Sequence, residues 1–330
     1  MNKIDVVHNK INIKEQKVFL KGDALTSNIM MVRPANFGYN EETAENNAFQ
    51  TNVSGVSADT VSAKAKKEFD HFVAELKKNK VNVEVIDDLD FPVNPDAVFP
   101  NNWISFHNSD FIVTYPMFAL KRRNERRKEI IDKLKLKYDI KVQFEFEHFE
   151  GQQMYLEGTG SIVFDRNHKI AYACRSMRTN EYLFKKFCSD LDFTPLLFDA
   201  VDKKGQPIYH TNVMMAMGVD FVIICMESIP NIFDQEKLKE SFGATGKKII
   251  PISLQQMEQF AGNMLQIKNK NEERILVMSS RAFNSLSQSQ IDEIEHHTKI
   301  LHVDLSVIEI YGGGSARCMI AEIFSRPINA

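Results

Sequence analysis

Cysteine is scarce in this chain and falls in no paired pattern. Only Cys174, Cys188, Cys225 and Cys318 occur among 330 residues, and none stands in a CxxC pair. This excludes the paired-thiol spacing of a structural zinc site. Cys174, Cys188 and Cys225 lie in apolar runs, where a reduced thiol packs as a small hydrophobe, as expected in a cytoplasmic protein. His296 and His297 are merely adjacent, so histidine offers no ligand spacing either. No metal and no organic cofactor is expected. Long hydrophobic runs are also missing: stretches such as Phe221 to Met226 fall far short of a membrane span. The first 27 residues, through Ser27, lack an apolar signal region and read as an N-terminal extension. Charge of one sign is nearly absent as well. A net charge of −3 gives no basic field for nucleic acid. No Pro-, Gly- or Ser-rich linker divides the rest, so residues 28–330 are expected to form one domain.

What the chain does have is a recurring cassette: a small or polar opening, an apolar strand, a turn and a second apolar strand. It begins at Phe99, Leu156, His210, Ala261 and Gly312, with starts roughly 50 to 57 residues apart. A fixed period of that length signals repeated supersecondary units. Helical patterns separate the cassettes. In Val61 to Asn79 the residues Phe69, Phe72, Val73 and Leu76 share one face. Arg122 to Leu136, Thr179 to Leu191, Asp234 to Phe242 and Ser287 to His296 read likewise, with Asp234 and Ser287 as N-cap residues. A short β-rich run follows each helix. The unit is therefore ββαβ, and the early strand Ile29–Arg33 completes the last unit, closing a ring by its two ends.

Three cassette openings carry reactive side chains. Cys318 follows three glycines in YGGGSARCM, where the backbone can pass close to a ligand; neighbouring Arg317 could lower its thiol pKa. His210 precedes an apolar strand, where a neutral imidazole can move protons. Glu157 is a carboxylate between Leu156 and Gly158. Each alone has an ordinary structural reading. Together, at one repeat position, they mark an active site.

These residues carry a family resemblance. MVRPANFGYNEETAENNAFQ, PDAVFPNNW, LEGTGS, IYHTNVMM, FAGNML and GGGSARCM are motifs of the guanidino-group-modifying superfamily. From Ile29 to Phe324 the chain resembles its citrulline-utilisation hydrolases, relatives of arginine deiminases, dimethylarginine hydrolases and amidinotransferases. The resemblance implies a five-bladed α/β propeller around a pseudo-five-fold axis. It implies Cys318 as nucleophile, His210 as general acid/base and Glu157 as substrate-orienting carboxylate. Asp96 matches a contact to the substrate's α-amino group. Arg122 and Arg178 match carboxylate-binding arginines, although Arg122 opens a charged helical stretch and Arg178 stands where it could cap the next helix. A homodimer binding a small amino acid is the family-level expectation.

One departure bears on the substrate. Deiminases of this superfamily clamp the guanidinium with two aspartates, and this chain has Asn102 and Asn212 at those positions. Burying a guanidinium without carboxylate partners is costly. A neutral ureido group avoids that cost, and its carbonyl oxygen can accept from an Asn amide. The expected reaction is hydrolysis of L-citrulline to ornithine, ammonia and carbon dioxide. An arginine dihydrolase or deiminase is the alternative; an amidinotransferase or a silent binding module stands further off.

Overall fold

A computed structural model describes residues 24–107 and 110–328. The N-terminal extension therefore lies, up to residue 23, outside the described residues. Among the described residues the strands form five three-stranded sheets, all of one design. The first contains β1 (Asn28–Arg33) paired in parallel with β2 (Asn82–Asp87). The next three are β3 (Ile104–His107), β4 (Phe111–Thr114) and β5 (Val142–Glu145); β6 (Val163–Asp165), β7 (Ile170–Cys174) and β8 (Thr194–Phe198); β9 (Met215–Met217), β10 (Phe221–Ile224) and β11 (Lys248–Pro251). The last complete set is β12 (Leu265–Lys268), β13 (Arg274–Ser279) and β14 (Lys299–Val303). In each, an antiparallel hairpin is followed by a parallel third strand. β15 (Ala321–Glu322) supplies the missing antiparallel partner of β1, with Met30 opposite Ala321. The chain's late and early strands thus share one sheet.

The crossovers are helices because parallel strands need a long connection that covers the sheet. Between β1 and β2 runs Ala58–Lys78, capped by Ser57, with Val61, Ala65, Phe69, Phe72 and Leu76 buried. Helix Glu181–Leu191 is capped by Asn180, and helix Gln288–His297 opens on a Ser287 capping box. Two local expectations are corrected. Helix Ile232–Ala244 starts at Asn231, whose side chain accepts from Phe233 N–H, and Asp234 lies inside its first turn. Arg122 to Leu136 is not one helix: a 3-10 turn at Lys121–Glu125 precedes the helix Lys128–Lys135. The break follows from Arg122 turning inward rather than lying on a solvated face. Neighbouring sheets meet through their opening strands, with β15 beside β3, β6 beside β9 and β9 beside β12. The openings of the cassettes, which carry the polar residues, are thereby drawn together.

Candidate active site

Each opening is held by a short, buried turn. His210 precedes the 3-10 turn Thr211–Val213 that leads into β9. Thr211 Oγ1 donates to Ser161 O at 2.6 Å and accepts from Cys174 N–H at 2.8 Å, locking this turn to the preceding sheet. Glu157 stands before the helical turn Gly158–Ser161. The approach at Gly160 is so close that a Cβ there would lie 2.5 Å from Asn102 Nδ2 and 2.7 Å from His210 Nδ1. Only glycine lets these two side chains converge. Cys318 follows helix Ser306–Gly312 and the left-handed Gly313, and its N–H donates to Ser315 O at 2.9 Å.

Cys318, His210, Asn102, Asp96, Arg122 and Arg178 line one buried cleft. Its free space is only about 10 Å³, roughly one water. Glu157 sits behind His210, with Oε2 2.9 Å from Nε2, while its Oε1 accepts from Phe118 N–H at 2.9 Å. Burial alone would raise the Glu157 carboxyl, but Arg178 and His210 outweigh it and hold it down at about 2. His210 is pulled down to about 4 by burial, against the upward pull of Glu157. A neutral imidazole donating Nε2–H to a carboxylate leaves Nδ1 as its acceptor nitrogen. That is the tautomer a general base needs.

The two arginines hold the rim. Arg122 is buried, in a bidentate pair with Glu125 at 2.8 and 2.9 Å, and its Nη1 donates to Asn102 Oδ1 at 2.7 Å. Arg178 donates to Thr43 O and Asn46 Oδ1, stacks over Tyr209 and comes within 3.6 Å of Glu157. It does not cap the following helix; Asn180 does. Asp96 accepts from Asn40 Nδ2 at 2.8 Å and Thr43 Oγ1 at 3.2 Å, and burial raises its carboxyl. Its Oδ1 has no partner among the described residues. The polar segment at residues 40–50 therefore folds over the cleft and touches the groups expected to meet an amino acid's backbone.

Asn212 and Asn102 each keep one buried amide atom unpartnered among the described residues: Asn212 Oδ1, an acceptor, and Asn102 Nδ2, a donor. Arg122 fixes the Asn102 orientation, because a guanidinium can bond only the oxygen. Asn212 Nδ2 lies 3.4 Å from Cys318 Sγ. Arg317 does not reach the thiol: it turns to Ile320 O and Glu322. One residue without an assigned role in the sequence also meets the sulfur. Asn263, in FAGNML, has Nδ2 3.2 Å from Cys318 Sγ. Its only signal in the sequence was its place at the opening of the fourth cassette.

Five like-built sheets bring a Cys, a His and buried carboxylates to one cleft, and the fold is that of the guanidino-group-modifying hydrolases. The chain belongs to the family described as "N,N dimethylarginine dimethylhydrolase, eukaryotic", whose model matches residues 33–325. No curated protein matches the chain significantly. Among solved structures it is similar to ArgZ, an arginine dihydrolase from the ornithine-ammonia cycle in cyanobacteria. The TM-score is 0.71 at 15% identity, covering 91% of this chain and 41% of that one. The chain thus spans about two fifths of the full ArgZ chain. Against the N-terminal domain of ArgZ bound to substrate, the TM-score is 0.70 at 16% identity, covering 90% and 98%. A dimethylarginine dimethylaminohydrolase gives 0.62 at 16% identity, covering 91% and 100%.

Proposed function

We propose that this chain is a five-bladed α/β propeller, one catalytic unit over residues 28–330, that hydrolyses the guanidino group of L-arginine and carries the product on to ornithine. The observation that carries this reading is the charge of the buried shell. Asp96, Glu125 and Glu157 face Arg122 and Arg178, three acids against two cations; burial raises Asp96 and Glu125, and a further cation in the cleft would favour their charged forms. A zwitterionic amino acid with a guanidinium side chain brings such a cation. The similarity to ArgZ supports the same substrate, and Asp96, Arg122 and Arg178 suit its ammonium and carboxylate.

The Cys318 sulfur attacks the guanidino carbon. The thiol proton passes through His210 to the departing ammonia, and an amidino group remains on sulfur. Glu157 acts through His210, holding its ring and tautomer. Water then adds, giving its proton to Nδ1, and loss of the second ammonia leaves a thiocarbamate on Cys318. A second water frees the ornithine carbamate, which loses carbon dioxide. Two waters enter, and two ammonia and one carbon dioxide leave. The free donor at Asn102 suits the carbonyl oxygen that appears at the ureido stage; the free acceptor at Asn212 suits an N–H of the guanidino stage.

That same free donor favours a second reading, in which citrulline alone is the substrate. Purified protein offered arginine, citrulline or N,N-dimethylarginine separates the possibilities. Ornithine with two equivalents of ammonia from arginine supports the first reading. Turnover of citrulline without arginine establishes the second, and dimethylamine release points to the activity the family's description carries. Cys318→Ala should abolish whichever turnover is seen; retention of wild-type rate would sink the covalent mechanism.

A further inference from the structure

The cation next to Cys318 in the chain, Arg317, turns away from the sulfur to Glu322. Two neutral amides meet the sulfur instead, Asn212 Nδ2 at 3.4 Å and Asn263 Nδ2 at 3.2 Å. The orientation of Asn263 is fixed by backbone on both sides and not by the sulfur. Its Oδ1 accepts from Arg317 N–H at 3.1 Å and lies 3.6 Å from Sγ, where it accepts from the neutral thiol, and its Nδ2, nearer the sulfur, donates to Asn212 O at 3.0 Å. Flipping the amide would set oxygen against carbonyl oxygen and N–H against N–H. The remaining Nδ2 proton is therefore aimed at the sulfur. The position is also pinned: a Cβ on the preceding Gly262 would lie 2.2 Å from Val213 O, so the approach of the two turns there admits nothing larger. Asn263 itself is 1% exposed, where an amide that fails to bond is costly.

We infer that Asn263 is a catalytic residue: its amide donates to the Cys318 sulfur and stabilises the thiolate that attacks. A hydrogen bond to the charged form of a group favours that form, and charge-assisted bonds are the stronger kind. Asn212 donates to the same sulfur from the neighbouring opening, so the two amides cradle it. This inference rests on Cys318 being the nucleophile proposed above, but not on which amino acid is the substrate.

The test is the rate of alkylation of Cys318 by iodoacetamide near neutral pH, with the modified peptide identified by mass spectrometry. The S–C bond forms as iodide leaves, so the rate reports the nucleophile without any substrate. Asn263→Ala removes the donor and should slow alkylation on the order of tenfold. Asn263→Asp keeps the volume but turns an acceptor toward the sulfur, and should be slower still. A purely packing role predicts the opposite order, with Asp faster than Ala. That order, or equal rates in all three proteins, overturns the inference. If the Ala variant does not fold, Asp alone decides: a wild-type rate rejects the donor role, and slowing supports it. A Cys318→Ala enzyme that still turns over would instead defeat the nucleophile reading, so the two failures are distinct.

Discussion

Both oxygens of Glu157 are engaged within the protein, one by Phe118 N–H and the other by His210 Nε2. The carboxylate therefore reaches the chemistry through the imidazole, whose free Nδ1 must take and return protons. Glu157→Gln is nearly isosteric but can set an amide N–H against the Nε2–H. The imidazole then shifts its proton to Nδ1 and loses its base. The expected result is a fall in kcat on the order of 10²–10⁴-fold. A smaller change in KM should accompany it, because the Arg122 and Asp96 contacts are untouched. Steady-state kinetics on the substrate identified by the assay above checks this, and a kcat within threefold of wild type (roughly the scatter of a neutral change) rejects the role.

The helix Ser306–Gly312 aims the nucleophile, and two carboxyl groups hold it. Glu68, from the helix Ala58–Lys78, accepts from Val307 and Ile308 N–H at 2.8 and 3.0 Å. Glu309 is fully buried and accepts from Ser315 Oγ at 2.6 Å, in the loop that ends at Cys318. Burial pushes Glu309 up to about 7, against the lowering pull of the Ser279 and Ser315 hydroxyls. Its folded pKa thus lies above its unfolded value of about 4.3. The stability it contributes is full below that value and is lost as pH rises through about 7. Glu309→Gln keeps an acceptor for Ser315 and cannot ionise. Wild type should lose on the order of 2 kcal/mol more than this variant between about pH 5 and pH 8, read from urea unfolding at each pH. Parallel profiles for the two proteins would show that the folded state does not raise the Glu309 pKa, the carboxyl being charged in both states across that range.

At the scale of the whole molecule, the five repeats were legible because each buried strand writes an apolar run, and each opening writes a polar residue before it. Cys318, His210 and Glu157 stood out as reactive types. Arg122 was harder, because an arginine among Arg123, Arg126 and Arg127 looks like a solvated helix face. Only its inward pair with Glu125 breaks that helix and turns the guanidinium toward Asn102. Asn263 was present in a motif yet silent, since an amide has no chemical mark until the fold sets a sulfur beside it.

The pairing of the early strand with the last cassette was readable too, and it carries a prediction of its own. β15 pairs with β1, Thr26 Oγ1 donates to Ile323 O at 2.6 Å, and Ile323 N–H donates to Asn28 O at 2.8 Å. Beyond β15 the chain is tied again, where Asp139 N–H donates to Arg326 O and Ile328 N–H to Lys137 O. The sheet that contains β1 is therefore completed by contacts between distant parts of the sequence, not by continuity of the chain. Continuity can be moved elsewhere. A circular permutant with the two ends joined and the chain opened at the exposed turn Lys203–Gly205 should melt cooperatively and keep turnover within about threefold. Deleting residues 321–328 leaves one edge of β1 without its partner and exposes Met30, Ile323's partners and the Tyr138 region together. That variant should lose its cooperative melt and its turnover. Calorimetry and the ammonia assay read both. A permutant that fails to fold while the deletion variant folds normally would mean that the end strands do not complete the sheet in solution.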